Sequence, residues 1–201
     1  CKPNSNSLLR DNLEVFTRNL DCFRIAKNDT EFDEQVIKSI EDFIPYRNEA
    51  SDVFRTLARY KATQESWEAL HRFFEELLPY YFRPGNVTNG DIRDCDNFKF
   101  IIHELFLYAI ANLLKYECFS GVAHLLRQYY YSAENASRGD DALVPFSEFR
   151  VQLKSLDYRN KRLNLNQLSL QASLLENRSR TLELPFKLLM QADFVLFLRD
   201  S

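Results

Sequence analysis

The sequence predicts an all-α fold of about seven or eight helices in antiparallel hairpins around one buried helix. Three observations carry that expectation. Gly (4) and Pro (6) are scarce in 201 residues while Phe (17) and Tyr (10) are abundant, which favours long helices over turn-rich β structure. Apolar residues recur at steps of three and four along most of the chain, the period of an amphipathic helix. From Phe98 to Leu114 they fill two adjoining rows, 98, 101, 105, 109, 113 and 102, 106, 110, 114, so more than half of that helix is greasy and must be surrounded.

Taken in order, Ser7 to Ala26 carries Leu9, Leu13, Phe16, Leu20 and Phe23 on one stripe, with Leu8 and Val15 widening it. Asn28-Asp-Thr30 supplies a cap, and Phe32, Val36, Ile37, Ile40, Phe43 and Ile44 form a second stripe that stops at Pro45, where a helix interior loses a donor. Asn48 can cap a third helix with Val53, Phe54, Leu57 and Tyr60. Thr63 can cap a fourth with Trp67, Leu70, Phe74, Leu77 and Leu78, closed near Pro79.

Residues 83–96 concentrate Pro, Gly, Asn and Asp without a period and read as a loop between an N-terminal subdomain, 1–82, and a second, 97–192. The stretch Asn97 to Tyr131 reads as the long helix, a one-turn break and a second helix. Ser132 to Asp141 is polar and includes Arg138-Gly-Asp140, read as a turn. Ser147 and Arg150 form an incomplete capping box ahead of Phe149, Leu153 and Leu156. Leu163, Leu165, Leu168 and Leu170 alternate like a strand, but Leu168, Ala172 and Leu175 fit a helix, and the absence of Gly or Pro up to Arg180 favours helix. Phe194 to Leu198 is a short apolar run of the kind that forms a buried strand, although it could also extend the preceding helix; as a strand, 193–201 would lead into a further domain.

A net charge of −3 excludes a globally basic nucleic-acid binder and leaves local patches open. The chain begins at Cys1 with neither a charged nor an apolar leader segment, so no signal peptide is expected. The apolar stretch Ile101 to Leu114 is broken by His103, Glu104 and Asn112 and reads as a core helix, with no membrane span expected. Cys1, Cys22, Cys95 and Cys118 lack C-x-x-C spacing and suit a reducing, cytoplasmic setting. Against this, Asn28, Asn86, Asn135 and Asn177 each open an N-x-S/T match, a pattern with meaning only in a secreted protein.

Catalytic motifs fail one by one. His103-Glu104 begins like the zinc helix H-E-x-x-H, but the second ligand position is Leu107; Cys95, His103, Cys118 and His124 match no zinc module. There is no G-x-S-x-G turn and no glycine-rich phosphate loop. The helical HEPN ribonucleases pair an Arg with a His a few residues on, whereas here Arg59 precedes His71 and Arg93 precedes both His103 and His124 at much longer distances. No cofactor or metal is expected.

Two surfaces stand out. Tyr129-Tyr130-Tyr131, read as helical, cannot all face one core and so reads either as a protein-binding site or as packing against two neighbouring helices. Arg150, Lys154, Tyr158, Lys161 and Arg162, with Arg159 between and Arg178 and Arg180 beyond, would form a basic face on a continuous helix, able to meet phosphates with Tyr158 near enough to stack. The bland alternative is a solvated face paired with Glu148 and Asp157. Phe106 to Tyr129, centred on Leu113-Leu-Lys-Tyr-Glu-Cys-Phe-Ser-Gly-Val-Ala-His-Leu-Leu126, resembles a single tetratricopeptide hairpin. Phe106, Ala109, Leu113 and Leu126 suit that pattern, while Ile110, Val122 and Tyr129 stand where the family has small residues. No second copy occurs at the family's period. The resemblance implies protein or peptide binding.

The expectation is therefore a non-catalytic scaffold, regulatory or oligomerisation module of a larger intracellular protein, binding a protein partner or itself. The alternative is a helical nucleic-acid-binding or nucleic-acid-processing protein using 150–162.

Overall fold

The computed structural model describes residues 5–25, 31–60, 63–83, 95–182 and 184–200. The fold is all-α. Among the described residues ten α-helices occur, α1 (Ser5–Asn19), α2 (Phe32–Asp42), α3 (Ile44–Arg59), α4 (Gln64–Leu77), α5 (Asp96–Lys115), α6 (Phe119–Arg127), α7 (Ala133–Arg138), α8 (Lys154–Arg162), α9 (Leu170–Ser179) and α10 (Phe186–Asp200). A two-stranded antiparallel ribbon, β1 (Tyr130–Tyr131) with β2 (Leu143–Val144), is the sheet found among them.

The centre is α5, packed against α2, α3, α6 and α10. Both apolar rows read from the sequence are buried apart from the partly covered Leu114 at the end of the second, and every residue from Ile101 to Leu113 lies below the surface. By length and composition α5 could cross a membrane, but 89% of its apolar window is covered by the rest of the chain. Fully burying each such side chain is worth roughly 1.5–3 kcal/mol, so α5 anchors the core. It ends in a tight turn, where Glu117 takes φ 58° and the Cys118 N–H donates to the Leu113 carbonyl at 2.8 Å. That bond satisfies one of the helix's orphan carbonyls.

Close approach explains one glycine. A Cβ at Gly121 of α6 would lie 3.2 Å from the Trp67 ring and from Leu113 Cδ2. Trp67 and Leu113 are both buried, so neither can step aside. Gly121→Leu is expected to lose about 1–3 kcal/mol of stability through overpacking, read as a lower denaturant midpoint. An unchanged midpoint would show that α4, α5 and α6 do not meet there.

Several boundaries differ from the sequence reading, each for a local reason. Pro45 does not end a helix; it sits in the first turn of α3, where its fixed φ and missing N–H are harmless. The proposed Asn48 start therefore falls inside α3. The first helix gives way to a 3-10 turn at Leu20–Phe23, and Val15 faces outward. The capping box at Ser147 starts only a 3-10 turn, Phe146–Phe149, after which Arg150 is non-helical (φ −108°, ψ 74°) and α8 begins at Lys154. Asn164 and Asn166 adopt φ 49° and 53° and break the chain between α8 and α9 without any glycine, because Asn tolerates the left-handed region. Thr63 occupies the N-cap position of α4, although its side chain donates to Glu65 Oε2 and makes no capping hydrogen bond, and Gly139, at φ 81°, closes α7 as the turn residue of Arg138-Gly-Asp140. The cap at Asn28–Thr30 and most of the 83–96 loop lie outside the described residues.

The C-terminal strand is not formed. Phe194 to Leu198 continues α10, with Leu189, Ala192 and Leu196 buried. Their steps of three and four decide the matter, since a strand would bury alternate residues. Met190, Phe194 and Leu198 form an outward stripe on the same helix.

Candidate functional site

The three tyrosines do not lie in a helix. The chain leaves α6 at Arg127, Gln128 is extended (φ −80°, ψ 147°), and Tyr130–Tyr131 pairs as β1 with β2 in the register Tyr130↔Val144, Tyr131↔Leu143. Successive strand side chains point to opposite faces. Tyr130 is therefore fully buried; its hydroxyl donates to the Leu125 carbonyl at 2.7 Å, and its ring stacks on His71 at 4.3 Å and meets Phe149 edge-on at 4.8 Å. Burial pushes its phenol well above the ordinary range. Tyr129 and Tyr131 remain 60% and 53% exposed, and Leu143, opposite Tyr131, is 52% exposed. The ribbon thus presents an apolar, aromatic outer face.

Its backbone donors are already engaged. The Tyr131 N–H donates to Glu75 Oε1 at 2.7 Å and the Leu143 N–H to Asp141 Oδ1 at 3.0 Å. Held donors discourage strand addition, so any recognition on this face runs through side chains.

The basic residues are dispersed. Arg150 lies outside α8 and is ion-paired to α10 through Asp193 (3.5 Å) and Asp200 (3.6 Å). Arg159 and Arg162 close on Asp33 and Glu34 of α2: Arg162 Nη2 lies 2.7 Å from both carboxylates, and Arg159 Nη1 lies 2.7 Å from Glu34 and 3.2 Å from Asp33. Hydrogen bonds from these two arginines hold the Glu34 carboxyl below the usual range. The paired acids are Asp33 and Glu34, not the Glu148 and Asp157 that sequence proximity suggested. Lys154, Tyr158 and Lys161 stay together on the exposed side of α8. The structure leaves a smaller basic strip than the sequence offered.

Arg178 is no part of a surface. It is buried with Arg47 and Glu104 in an ion triad joining α3, α5 and α9. Arg178 grips Glu104 bidentately, Nε to Oε1 at 2.8 Å and Nη2 to Oε2 at 2.6 Å, while Nη1 donates to the Ile40 carbonyl at 2.8 Å. Arg47 Nη1 donates to Glu104 Oε1 (3.2 Å), the Tyr108 hydroxyl (3.0 Å) and the Arg178 carbonyl (3.2 Å), and Nη2 donates to Thr181 Oγ1 at 2.7 Å. Glu104, the second residue of the failed zinc motif, is a structural counter-ion. A buried charge needs a partner, so a Glu inside the greasy rows was itself the signal that cations converge there.

Two histidine environments complete the inventory. His71 and His124 meet edge to face at 5.7 Å, with Glu75 Oε2 3.9 Å from His71 Nδ1. No group of three or more metal-ligating side chains occurs among the described residues. His103 is buried on α5, its Nδ1 2.8 Å from the Phe149 carbonyl, and it lines a cavity of about 340 Å³ between α5, α9 and α10. Burial is the largest influence on all three rings and lowers each below the ordinary 6.5.

A pH effect follows from that direction. The unfolded chain binds protons on these rings below about 6.5, while the folded chain resists them until a lower pH. Stability is complete above 6.5 and is lost as pH falls toward the folded values, each ring adding a slope of up to about 1.4 kcal/mol per pH unit. Urea unfolding between pH 7.5 and 5 is expected to show this fall, shallower in His103→Asn, whose amide can keep a donor to Phe149 without titrating in this range. Equal slopes in the two proteins would contradict a neutral buried His103.

Comparison with protein-family models, curated proteins and solved structures finds no match to this chain.

Proposed function

We propose that this chain is a non-catalytic helical scaffold or oligomerisation module, and that the partner met by its ribbon is a second copy of itself. One observation carries the reading: Tyr129, Tyr131 and Leu143 stand outward on one face, held by a ribbon whose other face is locked into the core by Tyr130. Monomers rarely leave contiguous apolar patches larger than a few hundred Å² bare. Tyrosine suits such a face because its ring gives contact area while its hydroxyl stays wet. A reducing intracellular setting accords with Cys118, whose thiol donates to the Ala58 carbonyl at 3.0 Å.

Light scattering on the eluting protein over a rising concentration series tests the proposal. The expected mass exceeds the 23.8 kDa of one chain and returns to it in Tyr129→Ser, Tyr131→Ser. A monomer throughout would overturn self-association. An assembly that survives those substitutions but dissolves in Met190→Ser, Phe194→Ser would move the contact to α10 and overturn the tyrosine face.

Nucleic-acid binding stays the second reading because Lys154, Tyr158 and Lys161 share the exposed side of α8. It requires a gel shift that weakens steeply with salt and disappears in Lys154→Glu, Lys161→Glu.

A further inference from the structure

The cavity beside His103 is furnished unequally. Leu107 of α5, Leu175 of α9 and Leu189 of α10 supply apolar wall, and His103, Arg150 and Asp193 supply the charged or titratable groups. Its volume of about 340 Å³ compares with the roughly 150 Å³ cavity that holds one benzene, so a body about twice that size fits.

The polar groups favour one kind of guest. A carbonyl can only accept, so the 2.8 Å contact between His103 Nδ1 and the Phe149 oxygen places the ring proton on Nδ1. Nε2 is left as an acceptor, and no hydrogen bond to it occurs among the described residues of a side chain that is only 7% exposed. Arg150, the cation at the rim, is answered by two carboxylates, Asp193 and Asp200, both at 3.5 Å or longer. Asp200 lies outside the lining, so within it one guanidinium faces one carboxylate, and the 3.5 Å Asp193 contact is loose enough for that carboxylate to accept another donor.

We propose that this cavity binds a small hydrophobic amine, its ammonium group donating to Asp193 and His103 Nε2 and its alkyl or aryl body lying against Leu107, Leu175 and Leu189. The site goes beyond the ribbon-mediated assembly and shares no residue with it, so either can fail alone.

Three probes that differ only at the head group test it: 4-phenylbutylamine, 4-phenylbutyrate and n-butylbenzene, titrated by calorimetry and thermal shift. The amine is expected to bind most tightly and to raise the melting temperature. Asp193→Asn is expected to weaken the amine by about tenfold or more and leave n-butylbenzene unchanged. Ala172→Phe, at the exposed rim of the cavity, should abolish binding of all three. Butylbenzene matching the amine would reduce the site to an apolar void, and tighter binding of the carboxylate would make Arg150 the anchor; either overturns the proposal. So would absence of amine binding at millimolar concentration, or amine binding unaffected by Asp193→Asn or by Ala172→Phe.

Discussion

Replacing Glu104 alone by leucine is expected to destabilise the protein by about 3–5 kcal/mol, because two buried guanidinium groups lose the carboxylate that pairs with both of them among the described residues. At the roughly 2–4 °C per kcal/mol typical of a chain this long, the melting temperature falls by about 6–20 °C. Arg47 and Arg178 are too deeply buried to reach solvent, and the carbonyls they also touch neutralise no charge. The companion variant makes the prediction specific. Arg47→Met, Glu104→Leu, Arg178→Met removes every charge at once, and buried ion networks exchanged for apolar side chains are often neutral or stabilising. The triple variant should therefore be more stable than Glu104→Leu. If it were less stable, hydrogen bonds from the arginines to Ile40, Tyr108 and Thr181 would outweigh the charge balance.

Phe106→Ala is expected to cost about 3–5 kcal/mol, the range for a buried phenylalanine truncated to a methyl group. Phe106 has no exposure and lies between Phe74, edge-on at 4.9 Å, and Phe149 at 4.8 Å. It joins α4, α5 and the turn before α8, so the void cannot be closed by moving one side chain. Phe119→Ala provides the control. Phe119 is 62% exposed, and surface changes of this sort usually stay within about 0.5 kcal/mol. Equal losses at both positions, measured by chemical denaturation, would contradict the aromatic core described here.

How far the fold was legible depended on whether local period or distant partners decided each element. The hairpin of α5 and α6 and the stripe of α4 could be read because their apolar rows are long and unambiguous. The run Phe194 to Leu198 could not: five apolar residues in a row hide which ones face inward, and only α5 decides that Leu196 does while Phe194 and Leu198 do not. Tyr129 to Tyr131 failed in the opposite sense, because β2 twelve residues on supplies the pairing that ends the helix early. Charged residues were the least legible. Arg178 looked like surface and is core, and Asp33 gave no sign that Arg159 and Arg162 would close on it from 126 and 129 residues away. Spacing along a helix reports which residues share a face, and it is silent about which face another helix covers.

The fold depends on α5 being enclosed, and native-state hydrogen exchange resolved by residue tests that most directly. Amides from Ile101 to Leu113 are expected to exchange only through global unfolding, with protection equal to the full unfolding free energy and above that of α7 or the outer turns of α10. Exchange of those amides through local opening, as fast as in α7, would contradict it.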